Sequence, residues 1–234
     1  MRHTSSSWLY LMVNVLTLVG PLARSFEPKV RFFSRWFALW PALGITAALF
    51  IAWDVVFTRL GVWGFNAQYL IGVGALGLPL EEWLFFITVP YACVFTYECL
   101  NRFWPLSGSL RWARFVAAVL ALLALGLAVT YRERTYTMVT CGLSGLCMAW
   151  AWWGNLRIVA AFFRAYAVSL IPFLGVNGVL TGALTEHPIV WYNDDENIGL
   201  RIGTIPVEDA FYLLPLLWLV IVQYEARLCR SRGH

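Results

Sequence analysis

The sequence predicts an all-α fold, that of a polytopic membrane protein with seven transmembrane helices. Its composition is too apolar for a soluble domain, because 60% of the 234 residues are hydrophobic and only 13% are charged. The apolar residues also gather in seven runs, each about long enough to cross a bilayer as a helix. The runs cover residues 8–23, 37–57, 70–98, 112–130, 137–153, 165–184 and 206–225.

The residues that flank these runs predict the orientation of the chain. The first run is expected to remain as a helix and not to be a cleavable signal peptide, because only Arg2 and His3 precede it and apolar sequence continues after Pro21. If the spans alternate, twelve of the 17 basic residues lie on one side. That side is then the cytoplasm, which also holds the C-terminus. The net charge of +4 is therefore interpreted as a signal of topology and not as the basic surface of a nucleic-acid-binding protein.

An internal repeat relates the two halves of the chain. Residues 66–82 align without a gap on residues 193–209. The clearest matches are Asn66 with Asn193, Pro79 with Pro206, Glu81 with Glu208 and Glu82 with Asp209. Upstream, residues 41–44 (Pro-Ala-Leu-Gly) resemble residues 172–175 (Pro-Phe-Leu-Gly). Spans two and three therefore correspond to spans six and seven.

The parity of the spans predicts how the repeats are oriented. Spans three and seven are both odd, so both run from outside to inside, and the repeats are parallel. Two three-helix units keep one orientation only if a further helix joins them. The predicted organisation is a first three-helix repeat over residues 1–104, a connecting transmembrane helix over 105–135 and a second three-helix repeat over 136–234.

Adjacent carboxylates near the start of spans three and seven are the main candidates for chemistry. The pairs Glu81-Glu82 and Glu208-Asp209 are expensive in an apolar environment, which indicates a function. Neighbouring helix residues point about 100° apart, so one acid of each pair can face a cavity. Partial desolvation disfavours ionising both, so one group can donate a proton and the other can accept one. The alternative is that prolines begin both helices and the carboxylates cap first-turn N–H groups.

Further polar and aromatic side chains are predicted to lie near these acids. Asp54 in span two falls at about the depth of Glu81, and its repeat counterpart is Thr181 or Thr185, depending on the register. Most of the 13 tryptophans are expected in interfacial belts and core packing, whereas aromatic residues near the acids could stabilise a cation through their π faces. The residues expected around the acids are Trp53, Asn66, Trp83, Phe85, Phe86, Thr181, Asn193, Phe211 and Tyr212.

Three other patterns are given structural interpretations. The five cysteines lack CxxC spacing and are expected to pack in the spans. Residues 72–77 match the spelling GxGxxG, but no βαβ unit surrounds them, so close helix packing or a kink is expected. The acidic residues 194–196 are expected to form a solvated loop and not a cation site, because no second acidic cluster could share a bound metal. We therefore expect no metal and no cofactor.

The chain is similar to the small membrane lycopene cyclases, in the form that fuses two homologous three-helix subunits. The segments that carry the resemblance are residues 10–14 (Tyr-Leu-Met-Val-Asn), 53–54 (Trp-Asp), 79–86 (Pro-Leu-Glu-Glu-Trp-Leu-Phe-Phe), 181–182 (Thr-Gly), 191–193 (Trp-Tyr-Asn) and 206–209 (Pro-Val-Glu-Asp). The resemblance implies that Glu81 and Glu208 are the acid and base, and that Glu82, Asp209 and Asp54 tune them or exchange roles with them. The second repeat departs from the family pattern opposite Asp54.

The resemblance also implies the reaction and its setting. The linear ends of lycopene would be cyclised to β-rings, giving γ-carotene and then β-carotene, in a redox-neutral reaction that needs no cofactor. The partners would be lycopene or a related linear carotenoid and the lipid bilayer, which places the protein in the cell membrane. Association with other membrane enzymes of the carotenoid pathway is left open.

Two other classes of function compete with this interpretation. A retinal-binding photoreceptor would need an amine in its last span for a Schiff base, but Lys29, in a predicted cytoplasmic loop, is the only lysine. A polyene-binding protein without a Schiff base stays open. So does a proton-coupled transporter, because carboxylates at a repeat interface also suit ion-coupled transport.

Overall fold

The computed structural model describes residues 7–232, which form a bundle of seven α-helices. The helices are α1 (Leu9–Arg24), α2 (Trp36–Leu60), α3 (Leu80–Phe103), α4 (Arg111–Thr130), α5 (Thr135–Trp152), α6 (Leu156–Leu180) and α7 (Glu208–Arg232). The predicted all-α membrane fold is confirmed. Within the described range, the segments containing α2, α3, α4, α6 and α7 are long and apolar enough to cross a bilayer, while α1, with 16 residues, is shorter. Arg2, His3 and His234 lie outside the described residues.

The prediction of a helix over 70–98 was wrong in its first part, because α3 begins only at Leu80. The preceding residues fold into a tight hairpin in which β2 (Gly74–Ala75) pairs with β3 (Leu78–Pro79). Gly72 and Gly77 adopt φ angles of 81° and 91°, a left-handed conformation that interrupts a helix. The glycines of the GxGxxG pattern therefore form a turn. The prediction that they serve close helix packing or a kink was wrong.

The second repeat contains the same hairpin before its last helix. Here β5 (Arg201–Ile202) pairs with β6 (Ile205–Pro206), and α7 begins at Glu208. Gly199 and Gly203 provide the positive φ angles of this turn, at 82° and 66°. The repeat found in the sequence thus corresponds to a repeated loop conformation as well as to a repeated pair of acids.

The loops that precede α3 and α7 are joined directly. In these loops β1 (Trp63–Phe65) pairs antiparallel with β4 (Val190–Tyr192). Two matched hydrogen bonds flank this ladder, because the N–H of Asn66 donates to Ile189 O at 2.8 Å and the N–H of Asn193 donates to Val62 O at 2.9 Å. The two helix starts therefore lie at the same end of the bundle, as the parity of the spans predicts.

Helix packing follows the repeat, with α4 added to one side. In the first half α1 packs on α3, and in the second half α5 packs on α7; the halves meet where α2 contacts α7 and α3 contacts α6. The connecting helix α4 lies closely against α5 through a stripe of buried small residues. These residues are Ala113, Ala117, Ala121, Ala124 and Ala128.

Candidate active site

Three carboxylates converge on one cavity at the end of the bundle where α3 and α7 begin. The cavity has a volume of about 50 Å³ and is lined by Asp54 from α2, Glu82 from α3 and Asp209 from α7. All three side chains are buried. No lysine, arginine or histidine of the described chain is among the lining residues, so nothing basic offsets three negative charges in this apolar setting. Ionising all three carboxyl groups at once is therefore unfavourable, and part of the group keeps its protons.

The second acid of each pair receives a hydrogen bond from a tyrosine of the same repeat. The hydroxyl of Tyr10 in α1 donates to Glu82 Oε2 at 2.5 Å. In the second repeat the hydroxyl of Tyr136 in α5 donates to Asp209 Oδ1. Both tyrosines line the cavity and both are buried. The two halves thus bring equivalent acid–phenol pairs to one space.

Asp209 is held by more donors than its counterpart. Besides Tyr136, the amide of Asn177 donates to Asp209 Oδ2 at 2.9 Å, and the hydroxyl of Tyr192 donates to the same oxygen at 3.1 Å. Burial, followed by the nearby charges of Asp209 and Glu82, raises the pKa of Tyr192 well above its ordinary value, so this phenol stays a neutral donor. Three hydrogen-bond donors stabilise the ionised form of Asp209 relative to its protonated form.

Asp54 presents one engaged and one free oxygen. The indole N–H of Trp63 donates to Asp54 Oδ1 at 2.5 Å, and the hydroxyl of Thr58 donates to the same atom at 3.2 Å. Asp54 Oδ2 is buried and has no hydrogen-bond partner among the described residues. An unpartnered buried carboxyl oxygen of this kind is suited to hold or receive a proton.

The first acid of each pair, Glu81 or Glu208, anchors the loop before its own helix. The N–H of Ile71 donates to Glu81 Oε1 at 2.8 Å, and the N–H of Ile198 donates to Glu208 Oε1 at 2.7 Å. Both glutamates are fully buried, and neither lines the acidic cavity. In the second repeat the hydroxyl of Thr137 in α5 also donates to Glu208 Oε1, at 2.6 Å. None of these donors is a first-turn N–H group, as the capping alternative would require. In each glutamate Oε2 has no partner within the described chain.

Four other predicted residues lie at or directly behind the cavity wall. Phe85 and Tyr212, at equivalent positions of α3 and α7, both line the cavity, and so does Thr181. Trp53 lies behind Tyr212, with 4.9 Å between the ring centroids. The hydroxyl of Thr181 lies 2.8 Å from Asn177 O, to which it can donate, and 2.7 Å from the hydroxyl of Thr204 in the loop before α7.

The remaining predicted residues are placed outside the cavity lining. Asn66 accepts from the N–H of Gln68 and caps a short 3₁₀ turn, while Asn193 accepts from the N–H of Asp195. Thr185, the alternative counterpart of Asp54, is bonded to His187 O in the loop. Phe86 packs behind Phe85, and Trp83 and Phe211 are partly buried in the bundle. Their predicted contact with substrate stays untested.

The acidic loop between α6 and α7 is held by hydrogen bonds. Arg201 donates to Asp194 at 2.5 Å, and this bond lowers the pKa of the Asp194 carboxyl. Glu196 accepts the N–H of Thr135 at the start of α5. Over residues 7–232, His, Cys, Asp and Glu form no group of three or more that could hold a metal ion.

The donors that surround the acids were not predicted from the sequence. Tyr10 and Tyr136 occupy matching places in spans one and five, which lie outside the segments where the repeat is recognisable. Asn177 was a detectable signal, as an amide inside an apolar run. Trp63 and Tyr192 come close to the acids only because β1 pairs with β4, which the sequence does not reveal.

Comparison with known proteins locates both repeats. A family model described as lycopene cyclase matches residues 7–100 and 133–226. The first match contains α1, α2 and most of α3, and the second contains α5, α6 and most of α7; α4 lies outside both. No curated protein and no solved structure matches the chain.

Proposed function

The chain belongs to the lycopene cyclase family, and we propose that it converts the linear ends of lycopene to β-ionone rings in the cell membrane. The observation that carries this proposal is the convergence of Asp54, Glu82 and Asp209 on one cavity with aromatic walls. Carboxyl groups of this kind can add a proton to an alkene and remove one from a carbocation. An apolar substrate dissolved in the bilayer would reach such a cavity from the lipid.

The proposed reaction is an isomerisation that balances without a redox partner. A carboxylic acid transfers its proton to the terminal carbon–carbon double bond, which leaves a tertiary cation. A nearby alkene of the same chain attacks this cation, so that a carbon–carbon bond closes the ring and the charge moves into it. A carboxylate then removes a ring proton, and the electrons of that carbon–hydrogen bond form the ring double bond. One proton enters and one leaves for each ring.

We assign the acid to Glu82 and the base to Asp209, with Asp54 exchanging protons with them. Glu82 accepts a side-chain bond from Tyr10, while Asp209 accepts bonds from Tyr136, Asn177 and Tyr192. The richer donor set favours the anionic form at Asp209, and the poorer one leaves Glu82 better suited to carry a proton. This assignment replaces Glu81 and Glu208 as the proposed reacting groups, because neither lines the cavity.

Aromatic rings of the cavity would stabilise the cationic intermediate. Phe85 and Tyr212 occupy equivalent positions in the two repeats, and Trp63, the donor to Asp54, also lines the cavity. The π face of an aromatic ring attracts a cation most strongly where water is excluded, by about 2 kcal/mol or more. A carboxylate can form a covalent bond to the cation and so end the reaction early, whereas an aromatic ring does this less readily.

Expression in cells that accumulate lycopene tests the proposal. We expect γ-carotene and β-carotene to appear and lycopene to decline, with chromatographic standards distinguishing β-rings from ε-rings. The purified protein in detergent should give the same products without an ion gradient, which a transporter would require. Unchanged lycopene beside well-expressed, folded protein would contradict the proposal. The Glu82→Gln, Asp209→Asn double variant is the matched inactive control.

A further inference from the structure

An apolar groove lies between α1, α3 and α6, next to the acidic cavity. Its volume is about 500 Å³, and its walls include Val13, Val89, Cys93, Phe173 and Val176. The threonine hydroxyls in this groove are used inside their own helices. Thr17 donates to Val13 O at 2.8 Å, and Thr96 donates to Ala92 O at 3.0 Å. Apart from the hydroxyl of Ser169, the groove therefore presents a surface that suits a hydrocarbon.

The groove continues the acidic cavity along the same helices. On α1 the cavity residue Tyr10 is followed one turn later by the groove residue Val13, and on α3 Phe85 is followed by Val89. Phe173 on α6 lines both spaces and is only 4% exposed. A long molecule with its end in the cavity would therefore extend directly into the groove.

We infer that the groove holds the chain of the linear polyene while its end reacts, and that Phe173 at the junction limits how far the end enters. This inference rests on the proposed function. Groove residues on α6 extend from Ser169 to Val179, which is about 15 Å at a rise of about 1.5 Å per residue. That length is about half of the roughly 30 Å hydrocarbon core of a bilayer. An extended, rigid polyene fits this space better than a compact solute.

The repeat symmetry does not extend to this groove in the same form. In the internal repeat Thr96 of α3 corresponds to Gln223 of α7. The amide of Gln223 donates to Thr46 Oγ1 of α2 at 3.0 Å, which bridges the matching helix interface. At this position the first repeat has an apolar groove wall, and the second has a polar bridge. The polyene is therefore bound from the α1–α3–α6 side, and one of its two ends lies in the acidic cavity at a time.

Filling the groove tests the inference. Gly175 lines the groove, and a Cβ at this position meets no atom within 4 Å, so Gly175→Leu adds a side chain to open space. Its match in the first repeat is Gly44, which is equally open but lies outside the groove lining, so Gly44→Leu is the control. We expect Gly175→Leu to lower kcat/KM for lycopene at least about tenfold, mainly through KM, with Gly44→Leu near wild type.

A second variant and a second substrate separate the possible outcomes. Ala92→Leu narrows the groove from α3, so it should act like Gly175→Leu even if one variant folds poorly. A short acyclic isoprenoid with the same terminal group, too short to reach the groove, should be converted equally by wild type and by both variants. Equal conversion of lycopene by wild type, Gly175→Leu and Ala92→Leu would overturn the groove inference while the cyclase function stood. Absence of all cyclisation by wild type would instead remove the proposed function.

Discussion

Tyr10 and Tyr136 make the same contact in the two halves of the protein, since each hydroxyl donates to the second acid of its own repeat, Glu82 or Asp209. The repeats have nevertheless diverged around this contact. Asp209 also accepts hydrogen bonds from Asn177 and Tyr192, so it has more protein donors than Glu82. The two repeats thus bring two chemically different acids to one cavity. Such a difference is what separates a proton donor from a proton acceptor.

Replacing Glu82 by Gln should abolish most activity while the fold is kept. The amide has nearly the same shape and still accepts the bond from Tyr10, but it cannot deliver a proton. General acid catalysis contributes about 10²–10⁴-fold, so we expect a fall in kcat within that range. The measurement is lycopene conversion by purified protein in detergent. Activity within about twofold of wild type would remove Glu82 as the acid.

Glu81 and Glu208 should tolerate the same change far better. Gln at either position can still accept the loop N–H of Ile71 or Ile198 through its side-chain oxygen. Glu81→Ala, by contrast, leaves the N–H of Ile71 without this acceptor and should lower the free energy of unfolding by about 1–3 kcal/mol. Thermal unfolding in detergent, together with activity, checks both statements. A loss of about 100-fold or more in Glu81→Gln would restore the assignment made from sequence.

Removing the two equivalent hydroxyls should have unequal effects. Tyr136→Phe leaves Asp209 with Asn177 and Tyr192 as donors, whereas Tyr10→Phe removes the side-chain donor to Glu82. Once Glu82 has given up its proton, the hydroxyl of Tyr10 stabilises the carboxylate that is left. A hydrogen bond to a charged group contributes about 1.5–3 kcal/mol, so we expect a larger change for Tyr10→Phe. The readout is the pH dependence of kcat, which a merely structural role would not shift. Identical profiles for the two variants would contradict the proposed division of roles.

Glu81 and Glu82 show which part of the site the sequence could predict. The apolar setting and the internal repeat were enough to identify both acidic pairs and to expect them at the same end of the bundle. Which member faces the cavity depends on the rotation of α3 about its axis, and this is set by packing against α1, α2 and α6. Adjacent residues differ by about 100° in direction, and the sequence does not fix the rotation of the helix to within that angle.

The loop from Gly72 to Gly77 shows where the prediction of the fold failed. Its residues are apolar enough to extend the hydrophobic run, so hydropathy alone assigned them to a helix. The chain turns there because its glycines accept positive φ angles and Pro79 lacks the N–H that would continue a helix upstream. Hydropathy indicates whether a segment is apolar enough to enter a bilayer, but whether the chain turns there depends on the backbone conformation of a few residues.

The contact between α4 and α5 should be intolerant of added volume at Gly145. A Cβ at Gly145 would lie 2.6 Å from the side chain of Leu125 and 3.1 Å from its backbone nitrogen. We expect Gly145→Ala to lower the free energy of unfolding by about 1–3 kcal/mol through overpacking. Gly142→Ala is the control, because its nearest contact would be an ordinary 3.9 Å to Ala128. Equal unfolding temperatures for the two variants would contradict close packing of the connecting helix.

Cyclisation in D₂O should label the product in proportion to the rings formed. If a carboxyl of the cavity exchanges its proton with solvent, the hydrogen it adds to the terminal alkene becomes deuterium. That carbon differs from the one which loses a proton, so the label stays in the ring. We expect one deuterium in γ-carotene and two in β-carotene by mass spectrometry, with none in recovered lycopene. Glu82→Gln, with its remaining slow turnover, provides the comparison in which the normal donor is gone. Unlabelled rings formed by wild type in D₂O would show that the added hydrogen does not come from an exchanging acid, and the proposed roles of Glu82 and Asp209 would then fail together.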